Sequence, residues 1–292
     1  MSAMTPRGPA TVDDGSMPSA GQPVMRRDPS ILPWVDLREG QGDEPCIVAL
    51  HGSFGEPRDW KLVVSRLAAR ASFHAVALAP LAQCAVLDLP HAAAMVVRTV
   101  QAIRAQRPGA PLVLAGYSFG GRLAASATAA LAPRALVLVS ARVHPLPPMQ
   151  AIERQRADAA LASALDRDGM QVFMRSWHQR PMFAGLVARG LSGTVAASRV
   201  ASTPSWVRIL RELSPGTSLQ APDLARAARC AYVAGKDDTA YVQEGERLRS
   251  SRRGRHLQVT LADAGDGHPT THALLVEAPA VVAGVLDYAC AP

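Results

Sequence analysis

Residues 111–132 read PLVLAGYSFGGRLAASATAALA. The opening run Leu112-Val113-Leu114-Ala115 is apolar and short enough for a buried strand. A turn follows through Gly116-Tyr117-Ser118-Phe119-Gly120, and a helix of small residues is expected from about Gly121. Strand, tight turn and helix form the setting in which G-x-S-x-G lifts a serine hydroxyl above a sheet edge. The glycines permit the strained turn and the close approach of helix to strand. Ser118 is therefore the candidate nucleophile. The amide of Phe119, at the start of the helix, is a candidate donor to a developing oxyanion.

The neighbouring segments supply a sheet for this turn. Residues 31–38 alternate apolar and polar and suit an edge strand, while PCIVAL (45–50) is apolar throughout. Further strands are expected at 73–79, 135–140, 230–234 and 256–261, and helices at 61–70, 91–106 and 279–288. Continuously apolar strands alternating with helices imply a mostly parallel sheet covered on both faces. Between 150 and 214 the pattern turns helical, with nine arginines against five acids, and reads as a helical lid inserted into the sheet domain. The division expected is a disordered tail over 1–30, an α/β core over 31–145 and 221–292, and the lid over 146–220.

Composition narrows the function. Among 292 residues, 48% are hydrophobic and 19% charged, an ordinary globular balance. No apolar run is long enough to span a bilayer, and the first residues lack the order of a secretion signal, so a cytoplasmic location is expected. The formal charge is +7, carried by scattered arginines with only Lys61 and Lys236 as lysines. That distribution argues against nucleic-acid binding and suits a small anionic substrate. The cluster Arg249, Arg252, Arg253, Arg255 reads as a solvated connection. Cys46, Cys84, Cys230 and Cys290 show no metal-ligand or disulfide spacing. Histidines 74, 91, 144, 178 and 256 form no metal-ligand pattern either, so no metal or organic cofactor is expected.

A serine hydroxyl needs a base to take its proton, and the base needs an orienting carboxylate. Asp238, in the loop after the 230–234 strand, is the expected acid, with Asp237 as the alternative. His268 follows a strand and a glycine and is the favoured base. His272 is the alternative, standing five residues before Glu277. After the 45–50 strand comes HGSFG (51–55), which places the amide of Ser53 as the second oxyanion donor. His51 is expected at the pocket wall in a structural role, bonding backbone rather than acting as the base.

The core resembles the α/β-hydrolase superfamily. The finer pattern is similar to one branch, the 2-succinyl-6-hydroxy-2,4-cyclohexadiene-1-carboxylate (SHCHC) synthases of menaquinone biosynthesis. The matching segments are HGSFGEPRDW (51–60), GYSFGGR (116–122), ERQRADAALA (153–162), WHQRPMF (177–183), Arg199 and LRELSPGTSLQAPDL (210–224). The resemblance implies elimination of pyruvate from an enolpyruvyl ether. Arg122, Arg154 and Arg199 would pair with substrate carboxylates, and Tyr117 and Trp177 would line the pocket. Five features depart from the family: Ser53 where a Phe is usual, His178 where a Tyr is usual, a loop after Ala79 without the D-L-P-G-H-G-x-S run, extra residues around His268, and the long N-terminal tail. They touch the pocket wall more than the triad, so catalysis is expected to be kept, and a relative recruited to another pathway would show such changes. A serine hydrolase acting on an ester, thioester or C–C bond is the alternative. A non-catalytic binding protein of the same fold is the third reading.

Overall fold

The computed structural model describes residues 30–199, 202–218, 221–251 and 257–292. Seven strands form one sheet: β1 (Trp34–Arg38), β2 (Cys46–Leu50), β3 (Ser72–Val76), β4 (Leu112–Tyr117), β5 (Ala135–Val139), β6 (Arg229–Gly235) and β7 (Leu257–Ala262). Their order is β1-β3-β2-β4-β5-β6-β7, with β1 antiparallel to β3 and every other pair parallel. The mostly parallel sheet and the edge strand near residue 35 agree with the sequence pattern.

Side-chain alternation explains the two-sided cover. In β2, Val48 and Leu50 face one apolar cluster while Ile47 and Ala49 face the other. The first cluster contains the buried faces of α2 (Leu89–Arg104), α3 (Phe119–Leu131) and α8 (Thr239–Ser250). The second contains those of α1 (Lys61–Val64) and α10 (Pro279–Cys290), with α9 (Leu274–Glu277) leading into the latter. A strand buried on both faces favours apolar residues at every position, as CIVAL and ALVLV show, and in the equally buried SFHAV of β3 the polar His74 is paired with Asp36 and Ser72.

Between β5 and β6 the chain leaves the sheet for a helical insertion: α4 (Pro148–Trp177), α5 (Ala184–Ala188), α6 (Ser192–Ala197) and α7 (Thr203–Glu212). Gly169 interrupts α4 with φ +72°, a backbone conformation glycine adopts without steric cost. Trp206 of α7 is fully buried against the rings of His51, Phe54 and Phe119, which seats the insertion on the sheet's C-terminal edge. Among the described residues no helix is long and apolar enough to cross a membrane.

The structure corrects one element. The helix expected over 61–70 ends at Val64. Beyond it, the Arg38 guanidinium takes the carbonyls of Val64, Leu67 and Ala69, and the Asp287 carboxylate takes the amides of Ala68 and Ala69. These long-range bonds replace the helical ones. Of the tail read over 1–30, only Ser30 falls within the described residues; Arg252, Arg253, Arg255 and His256 lie outside them.

Candidate active site

Ser118 stands between β4 and α3 with φ +52° and ψ −112°, a conformation rare for a residue with a side chain. Its amide donates to the Val139 carbonyl at 2.8 Å, which ties the strained residue to β5. The glycines explain how the strain is tolerated. A Cβ at Gly116 would lie 2.6 Å from the Cα of Gly121, and one at Gly120 would strike the backbone of Leu50 and His51. Helix α3 therefore packs on β2 and β4 at backbone contact, and it begins at Phe119, two residues earlier than its sequence suggests.

His272, not His268, meets this serine. Ser118 Oγ lies 2.9 Å from His272 Nε2, and His272 Nδ1 lies 2.8 Å from Asp238 Oδ2. The Asp238 bond puts the ring proton on Nδ1, so Nε2 is left as acceptor for the serine hydroxyl. Asp238 and His272 are buried, as a paired base and carboxylate should be. His268 is exposed at the tip of a turn whose flanking Gly265 and Gly267 both have positive φ, and its amide donates to Asp266 Oδ1. The chain must descend from that tip before it reaches the strand ends.

The two adjacent aspartates have separate tasks. Asp237 exchanges two bonds with Thr270, its carboxylate accepting from the Thr270 amide and its own amide donating to the Thr270 carbonyl. Gly235 allows this approach, because a Cβ there would collide with the carbonyls of Thr270 and Thr271. Glu277 holds the next residue by accepting from the amide and the hydroxyl of Thr271. Burial raises the pKa of this carboxyl, although its bonds to Thr271 work in the other direction.

The insertion also grips the histidine loop. The His272 amide donates to the Met182 carbonyl at 3.1 Å, and the Gly185 amide to Thr271 Oγ1 at 3.2 Å. Arg189 donates through Nε and Nη2 to both Asp266 oxygens at 2.8 Å, and through Nη1 to the carbonyls of Gly185 and Pro269. Arg189 is absent from the cavity wall, so its expected effect is on the base and not on substrate affinity. Arg189→Gln should lower kcat about tenfold for an activated ester, with KM within about twofold, because small displacements of a catalytic group are costly. Steady-state kinetics read the split; a change confined to KM would contradict the assignment.

Above Ser118 opens a cavity of about 340 Å³, within the usual range for small-molecule sites. Its wall includes Gly52, Ser53, Tyr117, Ser118, Arg154, Trp177, His178, Arg180, Arg199 and His272. Trp177 packs edge-on to Phe54 and carries the Arg180 guanidinium 4.7 Å above its ring. His178 is buried, with Nδ1 3.2 Å from the Ser192 carbonyl, and burial lowers its pKa, so the ring at this departure from the family motif is neutral. Tyr117 is also in the wall, and burial raises its pKa well above the ordinary phenol value. A smaller chamber of about 50 Å³ adjoins Ser118, Ser53 and Phe119. The two residues expected to supply oxyanion amides thus flank the serine. Gly52 makes this possible, since a Cβ there would lie 2.8 Å from the Tyr117 ring.

Three expected substrate contacts stand differently. His51 is buried outside the cavity wall; its Nδ1 lies 2.8 Å from the Gly52 carbonyl and its Nε2 accepts from the Leu78 amide at 3.1 Å. Burial lowers its pKa to about 4, so it is a neutral brace for the HGSFG loop, the structural role read from sequence and not a substrate contact. Arg122 is absent from the main cavity and spends its terminal nitrogens on the insertion: Nη1 donates to Leu213 O, and Nη2 to Ser214 O and Ser218 Oγ. Burial, with Arg154 nearby, lowers its pKa to about 10. Arg199 lines the cavity but also grips both oxygens of Asp59 at 2.6 and 2.8 Å. Arg154 engages Asp158 through Nε alone, its two terminal nitrogens having no partner among the described residues. Arg142, Arg180, Asp158 and Tyr241 were not singled out from sequence, although Asp158 and Arg180 lay inside quoted motifs.

A serine on a strained strand–helix turn, joined to a histidine and an aspartate carried by later strands, defines the class. The chain belongs to the alpha/beta hydrolase family, whose model matches residues 47–285, and is an enzyme of that family. More specifically, it is similar to the SHCHC synthase of Salmonella paratyphi C, 30% identical over 222 residues covering 69% of this chain and 81% of the relative. The enzyme of the same name from Serratia proteamaculans is 28% identical over 218 residues, covering 71% and 82%. Among solved structures, MenH from S. aureus superposes with a TM-score of 0.69 at 19% identity, covering 86% of this chain and 96% of that one, a likeness of fold.

Proposed function

We propose that this enzyme is a carbon–oxygen lyase that eliminates pyruvate from an enolpyruvyl ether on a small carboxylated ring. The observation that carries the reading is the cavity itself, where Ser118 and His272 share a wall with Arg154, Arg180 and Arg199. Guanidinium groups in a confined site favour carboxylates through paired hydrogen bonds. The relatives named SHCHC synthase support it at 30% identity.

Ser118, His272 and Asp238 act as the catalytic triad. Ser118 passes its proton toward His272 Nε2 and takes one from the ring carbon beside a carbonyl, while Asp238 stabilises the imidazolium that forms. The amides of Ser53 and Phe119 hold the enolate oxygen. The electron pair then returns through the ring, the bond to the enolpyruvyl oxygen breaks, and the departing enolpyruvate takes up a proton to become pyruvate. Arg154 and Arg199 orient the substrate carboxylates, Trp177 and Tyr117 close the apolar side, and the helical insertion serves as a lid. The enzyme acts in the cytoplasm on a free small molecule.

The test is pyruvate release from the enolpyruvyl cyclohexene substrate of the menaquinone pathway, with Ser118→Ala as control. Release that the substitution abolishes supports the lyase. No release, from protein that still cleaves an activated ester through Ser118, would replace this reading with a serine hydrolase.

A further inference from the structure

Among the described residues, three aromatic rings stand around the His272 imidazole. The Tyr241 ring is 4.5 Å away between centroids and tilted by 44°, Tyr117 is at 5.5 Å, and Phe183 is edge-on at 5.9 Å. All three lie within the roughly 6 Å over which an aromatic ring attracts a cation. They come from different parts of the fold. Tyr117 ends β4, Phe183 belongs to the insertion, and Tyr241 stands in the first turn of α8.

The closest of these rings is tied to the triad through the backbone. Asp238 caps α8, and its carbonyl accepts the Tyr241 amide at 2.9 Å. One helical turn therefore carries both the carboxylate that orients the base and the ring nearest to it, since a spacing of three brings two side chains to one side of a helix. Tyr232 of β6 fixes that turn from the sheet: it is fully buried and donates its hydroxyl to the Tyr241 carbonyl at 3.0 Å. Helix α8 comes this close because residue 245 is glycine; a Cβ there would lie 3.0 Å from the Tyr232 ring. Both anchors hold Tyr241 by its main chain, so they place its ring without using its own hydroxyl. Burial raises the pKa of that hydroxyl, which keeps the ring uncharged. Tyr241 also lines the main cavity and the small chamber, so it borders both the base and the space open to substrate.

Two hydrogen bonds fix the His272 nitrogens, Nδ1 on Asp238 and Nε2 on Ser118. They leave the imidazole able to rock about the line that joins them, and packing against a ring opposes that motion. When Ser118 gives up its proton, the imidazole becomes a cation. Asp238 meets that charge at one edge, and a neighbouring ring attracts it without adding a charge of its own.

We propose that Tyr241 is a positioning residue for the base: its ring keeps the His272 imidazole aligned with Ser118 and Asp238 and stabilises the positive charge that the imidazole takes on. The proposal rests on the triad part of the reading above, and on neither the elimination chemistry nor the identity of the substrate.

The test uses the full chain with p-nitrophenyl acetate and a fluorophosphonate. Tyr241→Leu should lower kcat about tenfold with KM within about twofold, and should slow labelling of Ser118 to the same degree, the size expected of one ring facing a desolvated cation. Tyr241→Phe keeps the ring and should hold both rates within about twofold of the parent. Tyr241→Met, a flexible side chain that fills irregular space, repeats the comparison if the leucine variant folds poorly. A readout independent of turnover is the downfield proton resonance of His272 Nδ1–H, assigned by its loss in His272→Ala. It should broaden in Tyr241→Leu and stay sharp in Tyr241→Phe. Leucine and methionine variants at the parent's rates, a phenylalanine variant as slow as the leucine one, or a change confined to KM would overturn the assignment. A parent chain that takes no label at Ser118 would overturn the triad reading itself, and this proposal with it.

Discussion

Replacing His272 with alanine should lower turnover of an activated ester by about a thousandfold or more, while His268→Ala should leave it within about twofold. The magnitude follows from triads in which losing the base leaves only the contribution of binding and the oxyanion donors. The contrast follows from position. His272 Nε2 is 2.9 Å from Ser118 Oγ, and its loop is held by Asp237, Glu277 and the Met182 carbonyl. His268 is exposed on a glycine-flanked tip. Parallel kinetics on the two variants decide the matter. A large loss in His268→Ala with little in His272→Ala would mean that the loop rearranges during the reaction.

The largest expected effect on stability is at Gly120. A methyl group there meets backbone on every near side: the Leu50 carbonyl carbon at 2.6 Å, the Leu50 oxygen and the His51 oxygen. Backbone cannot swing aside as a flexible side chain does, so α3 must move off β2. Gly120→Ala should cost about 3 kcal/mol or more, toward the upper end for overpacked cores. The same shift displaces Ser118 relative to Ser53, so activity per folded molecule should fall as well. Urea unfolding with parallel kinetics measures both. A variant as stable and as active as the parent would show that the elbow is not packed at backbone contact.

The parts of this molecule legible from sequence are those written in contiguous residues. The elbow announces itself because strand, glycine turn and small-residue helix lie side by side in 111–132. The HGSFG loop and the arginine-rich helical insertion are equally local. The choice of base was not, because His268 and His272 share one loop. Their difference lies in burial against Asp238, a residue more than thirty positions earlier (|i−j| = 34). Thr270 and Thr271 are the signal that was available: polar side chains that are buried must find partners, and the Thr270 hydroxyl accepts from the Ala264 amide while the Thr271 hydroxyl donates to Glu277. The arginines were hidden for the same reason. Arg199 pairs with Asp59 across 140 positions, and Arg122 with carbonyls more than 90 positions later (|i−j| = 91 and 92). An arginine in a motif shows that a cation is needed, while its partner decides whether it is free to meet substrate. Helix α1 failed likewise, since Arg38 and Asp287 supply from afar the bonds that would have continued it.

Ser118, His272 and Asp238 are proposed to work as one proton-moving unit, and labelling with a fluorophosphonate tests that most directly. The parent chain should take up one adduct, mapped by peptide mass to Ser118, and His272→Ala should label far more slowly while His268→Ala labels as the parent does. An unlabelled parent, or labelling of His272→Ala at the parent's rate, would contradict it.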